Sequence, residues 1–361
     1  MQRLILGLLF AFVISACGNN PSVTNAPSAT QASASSSAPA ATQLASATML
    51  PAATSISAAQ LHEVVVAMPY IPNVQFSQFY VADKKGYYAA EGLKVTFDYN
   101  FETDVVQRVA QGTLQFGLAS GDSVLLARAQ GLPVRTVATN SQRFPTVFFS
   151  KAENNIVTPT DMKGKTVGIP GRFGASYIGL RALLYANKMT EQDINIQEIG
   201  FAQVAALSED KVQVASGYGN NEPIQLAERG IKLNVIAVAD SYMLASDGII
   251  SSEKLIADNP TLVRAFVRAT MHGMQDTIAD PQAAFDTALG YIPEAQQGDL
   301  ALQRKVLEAT LPYWQSDLTK QYGLGYSNPE AWKSTHTFLR AAAILQKDVP
   351  VEDAFTNAFL K

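Results

Sequence analysis

Cysteine is nearly absent from this chain: one residue, Cys17, in 361. A single thiol can form no internal disulfide, so stability has to come from a buried core. It also leaves the body without a thiolate nucleophile or a soft-metal ligand. Histidine is almost as scarce, with His62, His272 and His336 the only three, and none falls in a loop expected to face a cleft. There is no excess of positive charge: 27 basic against 31 acidic residues give a net charge of −4 and a pI of about 5.5. With no basic stripe either, nucleic-acid binding is excluded. Beyond the first residues no apolar run approaches the ~20 residues of a membrane span. Phosphate-binding loops are missing too. Gly164-Lys165-Thr166 has Pro159 where the upstream glycine of such a loop would stand, and Gly168-Ile169-Pro170-Gly171 does not fit the dinucleotide pattern. No nucleophile elbow, HExxH motif or metal-ligand cluster is found, so no catalytic residue, cofactor or metal is expected and the chain does not read as an enzyme.

What is present begins at the N-terminus. Arg3 precedes the apolar run Leu4 to Ile14, of the roughly 7–15 residues that form a signal-peptide core. The run ends at Ile14-Ser15-Ala16-Cys17, which resembles the bacterial lipobox. The resemblance implies a signal peptide over residues 1–16 and diacylation of Cys17, two acyl chains giving firm anchoring where one would be marginal. Residues 17–61 are rich in Ala, Ser, Thr and Pro and nearly free of charge and aromatics. Such a segment cannot offset its conformational entropy by burial and reads as a disordered tether. The expected location is the cell membrane, lipid-anchored and facing the extracytoplasmic side.

From His62 onward, short β-branched runs alternate with helix-length segments. Glu63 to Met68, Leu93 to Phe97, Leu114 to Ala119 and Val134 to Thr139 read as strands with helices between them, the pattern of right-handed βαβ units in a mainly parallel sheet. The pattern restarts at Thr166 to Ile169 and runs through strands at Ile194 to Ile199, Val212 to Ala215 and Leu233 to Val238. Gly248 to Ile250 reads as one more strand. The rest reads as helical, with segments at Pro260 to Ile278, Pro281 to Leu289, Leu300 to Leu311 and Pro329 to Gln346. The expected organisation is an α/β, bilobed body. Residues 62–148 and 243–361 form lobe 1 and residues 149–242 form lobe 2. The chain crosses between them near Thr146–Ser150 and Asp240–Ala245. Two crossings make a hinge over a ligand cleft.

Three segments resemble the solute-binding proteins of ABC importers. They are Met68-Pro69-Tyr70-Ile71-Pro72-Asn73-Val74-Gln75-Phe76 with its continuation to Leu93, Gly112 to Ser120, and Asp161 to Gly171. The nearest group is the thiamine-pyrimidine-synthase-like (NMT1/THI5-like) family. The resemblance covers the body and implies a periplasmic-binding-protein-like (type II) fold with two hinge crossings and a helical C-terminal region. It also implies a substrate-binding lipoprotein that delivers a small solute to an ABC permease and its ATPase. Tyr70 to Phe76, with Phe101 to Asp104 and Gly217 to Pro223, looks closest to the riboflavin-binding branch. A thiamine-type aminopyrimidine precursor is the alternative, and a sulfonate a more distant one.

Ligands of open α/β sheets bind at the carboxyl ends of strands, which gives the candidate contacts. Tyr70, Asn73, Gln75 and Phe76 follow the first strand, and Ser120 and Asp122 the third, with Asn140 at the crossover. Arg172, Phe173, Gly174, Ser176 and Tyr177 follow the first strand of the second lobe, and Tyr218, Asn221 and Glu222 a later one. This aromatic and amide-rich set suits a flat heteroaromatic ligand, stacked on its faces and hydrogen-bonded along its edges. Asp122 and Glu222 also stand where helices begin, so each has a capping role as an alternative.

Overall fold

In the computed structural model, residues 61–293 and 298–361 are described. The expected signal peptide, Cys17 and all but the last residue of the tether lie outside the described residues. The β-branched runs form the strands of two five-stranded sheets. The first sheet contains β1 (His62–Met68), β2 (Leu93–Tyr99), β3 (Phe116–Ser120) and β4 (Val134–Thr139). The second contains β5 (Thr146–Lys151), β6 (Thr166–Ile169), β7 (Asn195–Glu198), β8 (Val214–Tyr218) and β9 (Leu233–Ala237), after which β10 (Asp247–Ser252) returns to the first. The orders are β2-β1-β3-β10-β4 and β7-β6-β8-β5-β9. β3 is buried along its whole length, and Val64, Val66, Ala67 and Met68 of β1 are fully buried, as expected of strands covered on both faces.

Helices connect and cover these strands: α1 (Ser77–Lys84), α2 (Tyr87–Ala90), α3 (Glu102–Ala110) and α4 (Gly121–Ala129) in the first half, α5 (Gly174–Ala186), α6 (Gln203–Ser208) and α7 (Glu222–Glu228) in the second. The C-terminal region supplies α8 (Glu253–Asp258), α9 (Pro260–Ala279), α10 (Pro281–Leu289), α11 (Leu300–Thr310), α12 (Asp317–Tyr322), α13 (Pro329–Ala341) and α14 (Val351–Ala354). The long α9 starts with Pro260 in its first turn and Asn259 capping Leu262 N, the donor-free residue and the acceptor that a helix start favours. It lies against α1 so closely that a Cβ on Gly273 would stand 2.1 Å from the Gln78 carbonyl oxygen, which is why glycine occupies that position. No helix among the described residues is long and apolar enough to cross a membrane.

Three expectations are corrected. Thr146–Ser150 is not a crossing but most of β5, paired antiparallel with both β8 and β9. The first crossing is therefore the segment 140–145, and a boundary between residues 148 and 149 would fall inside a strand of the second sheet. The segment Phe76 to Lys85 reads from sequence as one helix, but Phe76 closes a 3-10 turn, Val74–Phe76, whose start is capped when Asn73 Oδ1 accepts from Gln75 N, and α1 begins only at Ser77. The last long helix stops at Ala341 rather than Gln346. Ala343 takes φ 54°, a left-handed turn just past the helix, and the Arg340 guanidinium reaches forward from the last helical turn to donate to the Leu345 carbonyl of the segment that follows.

Each crossing turns the following strand around. β5 runs antiparallel in the second sheet, and β10 antiparallel between β3 and β4 in the first. This exchange of antiparallel strands gives the two-lobed architecture its paired connections.

Candidate functional site

The carboxyl ends of β1 and β3 in one half face those of β6 and β8 in the other, and a cleft with about 810 Å³ of atom-free space, part of it open to solvent, lies between them. Its outer end is aromatic. Tyr70 and Phe101 come from the first half, Phe173 and Phe201 from the second. Phe201 stacks on Phe101 with centroids 5.1 Å apart and meets Tyr70 edge-on at 4.8 Å, while Phe173 meets Phe101 edge-on at 5.6 Å. Phe101 and Phe201 remain 42% and 37% exposed, which places this cluster at the mouth. The spacings are those of favourable aromatic pairs.

The inner end is acidic. Glu102, Glu222 and Asp247 line it, and among the described residues that line the cleft there is no Lys, Arg or His. Glu102 Oε1 accepts from both the backbone N (2.7 Å) and the Oγ (2.5 Å) of Ser120 at the start of α4. Glu222 Oε2 accepts from Tyr218 N at 2.8 Å, folding the first turn of α7 back on β8. Asp247 Oδ2 accepts from Asn140 Nδ2 at 2.7 Å. Behind this wall Asp122 is 1% exposed and neither of its carboxyl oxygens has a hydrogen-bond partner. Burial, reinforced by the neighbouring Glu102 carboxylate, pushes Asp122 up to about 8. Burial also raises Glu222 and Asp247 above the usual carboxylate range. The Tyr218 phenol rises well above its ordinary value through burial first and then through the negative charges of Asp247, Glu102, Asp122 and Glu222.

A polar bridge joins the halves beside the cleft. Asn220, in the loop after β8, donates from Nδ2 to Gln75 Oε1 (2.9 Å) and to Thr310 Oγ1 (2.8 Å) at the end of α11. All three groups are buried. Asn220→Ala leaves the Gln75 acceptor unpaired and is expected to cost roughly 1–3 kcal/mol. A melting midpoint several degrees lower would show it, and an unchanged midpoint would mean the bridge contributes nothing net.

Of the residues expected at the site, Tyr70, Gln75, Phe76, Phe173, Gly174, Ser176, Tyr218, Asn221 and Glu222 line the cleft together. The remaining six stand apart from the lining. Asn73 caps the turn before α1. Ser120 holds Glu102, and Asn140 accepts from Gln78 Nε2 while donating to Asp247. Asp122 sits behind the inner wall. Arg172 pairs with Glu191 (2.6 Å) and Glu198 (3.5 Å), and Tyr177 donates to Glu191, so these two belong to a surface network. Arg143, the other cation that could have met an anion, pairs with Asp240 at 2.6 Å.

Leu118, Pro170, Phe201, Gln203 and Asp247 line the cleft without having been singled out from sequence. The strand-end rule could have found Phe201, which follows β7. It could not have found Asp247, because β10 runs antiparallel and brings its amino end to the edge where its neighbours end.

A family model described as NMT1/THI5 like matches residues 73–284. The riboflavin-binding protein RibY of Chloroflexus aurantiacus is 50% identical over 363 residues, covering 100% of this chain and 98% of that protein. A formylaminopyrimidine-binding protein of Halalkalibacterium halodurans is 27% identical over 302 residues, covering 82% and 90% of the two chains. Among solved structures, the alkanesulfonate-binding protein SsuA from Xanthomonas axonopodis pv. citri, bound to MOPS, superposes with a TM-score of 0.65 at 16% identity, covering 83% of this chain and 99% of that one. At that identity the last likeness speaks for the fold alone. A family match from the first capping turn into the first turn of α10, together with half of all positions shared with a relative along the whole chain, means that this protein belongs to the NMT1/THI5-like family.

Proposed function

We propose that this protein is the substrate-binding lipoprotein of an ABC importer, that it captures riboflavin between its lobes, and that it hands the vitamin to a membrane permease driven by its ATPase. In this reading Cys17 carries the lipid and the tether keeps the body at the extracytoplasmic face. The segments 140–145 and 238–246 are the hinge, and the two sheets with their helices are the lobes. The protein binds its ligand without converting it.

The observation that carries the reading is the composition of the cleft, aromatic at the mouth and acidic within, with no cation along its lining. A sulfonate or nitrate would need a positive partner or unpaired N–H donors, and both arginines that might have served are tied up in ion pairs. A neutral ring system with donor groups fits instead. The aromatic mouth, built from two residues of each half, suits the extended tricyclic ring of riboflavin, and the 50% identical relative is named for that ligand. An aminopyrimidine would also satisfy the carboxylates, and the more distant relative is named for one, so it remains the second reading.

Titrating purified protein with riboflavin should quench the flavin's fluorescence saturably. At ligand 100-fold above Kd the complex is stabilised by ~2.7 kcal/mol, which should raise the melting midpoint of a body this size by roughly 4 °C. No shift with riboflavin and a clear one with an aminopyrimidine would replace the first reading by the second. A chemically altered flavin after incubation would overturn the claim of binding without conversion.

A further inference from the structure

We infer that the cleft holds the flavin by its hydroxylated side chain, with the polyol at the inner carboxyl end and the ring at the aromatic mouth, and that it thereby rejects the phosphorylated form of the vitamin. This rests on the riboflavin reading above and adds an orientation and a selectivity to it.

The argument starts from donors and acceptors. Glu102, Glu222 and Asp247 present carboxyl oxygens to the inner cleft, and the two glutamates are 8% and 4% exposed. Carboxylates accept and do not donate. Their protein partners fill only part of this capacity, since each carboxyl oxygen can accept twice: Ser120 bonds one oxygen of Glu102, Tyr218 N and Asn221 bond one oxygen each of Glu222, and Asn140 and Ser246 one each of Asp247. Buried acceptor capacity left over is costly unless a ligand supplies donors. The two ends of riboflavin differ in this respect. The pyrimidine-dione edge of the ring offers two carbonyl acceptors around a single N–H, and the carbonyls would face carboxyl oxygens. The ribityl chain carries only hydroxyls, each able to donate. The carboxyl end therefore suits the chain, and the stacked aromatics at the mouth suit the ring.

A second observation points the same way. The three carboxyl groups of Glu102, Glu222 and Asp247 line the same end of the cleft. No lining residue could neutralise a phosphate brought among them. Esterifying the terminal hydroxyl of the chain removes a donor and delivers a dianion to the most acidic part of the cleft. Like charges brought together in a low-dielectric site cost enough to change affinity by orders of magnitude.

The test compares three ligands on the full-length protein by fluorescence titration: riboflavin, riboflavin 5′-phosphate, and lumiflavin, which has the ring without the polyol. The phosphate is expected to bind roughly 100-fold more weakly than riboflavin, or worse, and lumiflavin roughly 10-fold more weakly. In Glu222→Gln, and separately in Asp247→Asn, the phosphate's disadvantage should shrink about 10-fold while lumiflavin changes little. Riboflavin binding with the phosphate within about three-fold of it would overturn the inference alone, because the chain would then point outward to solvent. Lumiflavin binding as tightly as riboflavin would do the same. Failure of all three flavins to bind would overturn the riboflavin reading and this inference with it. The wild-type comparison stands even where a variant does not fold.

Discussion

Gly174→Val is expected to weaken riboflavin binding by about 100-fold or more while leaving a folded protein. Gly174 opens α5 with φ +62°, a backbone conformation that costs any L-residue and costs a β-branched one most. A Cβ there would stand 2.7 Å from Glu102 Oε2. The glutamate cannot simply swing aside, since its other oxygen is held by the backbone and hydroxyl of Ser120 at the start of α4. Gly174 belongs to the second half of the molecule and Glu102 to the first, so valine wedges the two apart at the inner end of the cleft. Strain of ~3 kcal/mol directed against the approach of the halves corresponds to a loss of about 150-fold. A hinged body can relieve that contact by opening, so the unliganded melting midpoint should fall by only the cost of the positive φ. Gly174→Ala should sit between the two, near 10-fold. A valine variant that binds riboflavin within about five-fold of wild type would mean that the Glu102 side chain yields and that this contact does not govern closure.

The contact between Gly174 and Glu102 also shows how far the sequence could be read. The βαβ alternation, the two repeats of it and the helical end were visible because apolar β-branched runs and helix-length segments differ in period. Strand-end positions are visible as well, Tyr70, Phe173, Gly174 and Tyr218 among them. What periodicity does not reveal is which of two neighbouring side chains at a strand end reaches the cleft and which one holds the other in place. Ser120 and Asn140 were expected at the ligand; they hold Glu102 and Asp247, which reach it. Arg172 was expected to offer a charge and spends it on Glu191 and Glu198, acidic partners 19 and 26 positions away along the chain. β5 was read as a crossing because Thr146 to Ser150 follows β4 with only a short connection, and nothing local says that such a strand joins a different sheet. Asp247 escaped for the related reason that antiparallel insertion brings a strand's beginning, not its end, to the functional edge.

Asp122→Asn is expected to flatten the pH dependence of stability between about pH 4 and pH 8. An aspartate ordinarily titrates near 3.8, and here burial and the Glu102 carboxylate raise it to about 8 in the folded chain. Between those values the folded state holds a proton that the unfolded chain has already released. Unfolding then releases a proton, and stability falls as pH rises, by up to about 1.4 kcal/mol per pH unit from this one group. Below pH 4 both states are protonated and the group contributes no penalty; above pH 8 both are ionised and the whole penalty is present. Glu222 and Asp247 are raised by burial too and add a slope of the same sign. Asparagine resembles the protonated aspartate in shape and lacks charge, so the variant should match wild type near pH 4 and melt several degrees higher at pH 8. Thermal melts at intervals across this range measure it directly. Parallel curves for the two proteins would mean that Asp122 is ionised throughout, and that an anion lies behind the inner wall without a partner. An advantage for the asparagine variant that grows steadily from pH 4 to pH 8 would instead place a proton there at neutral pH, leaving the carboxyl groups that line the cleft free of a fourth negative charge at their back.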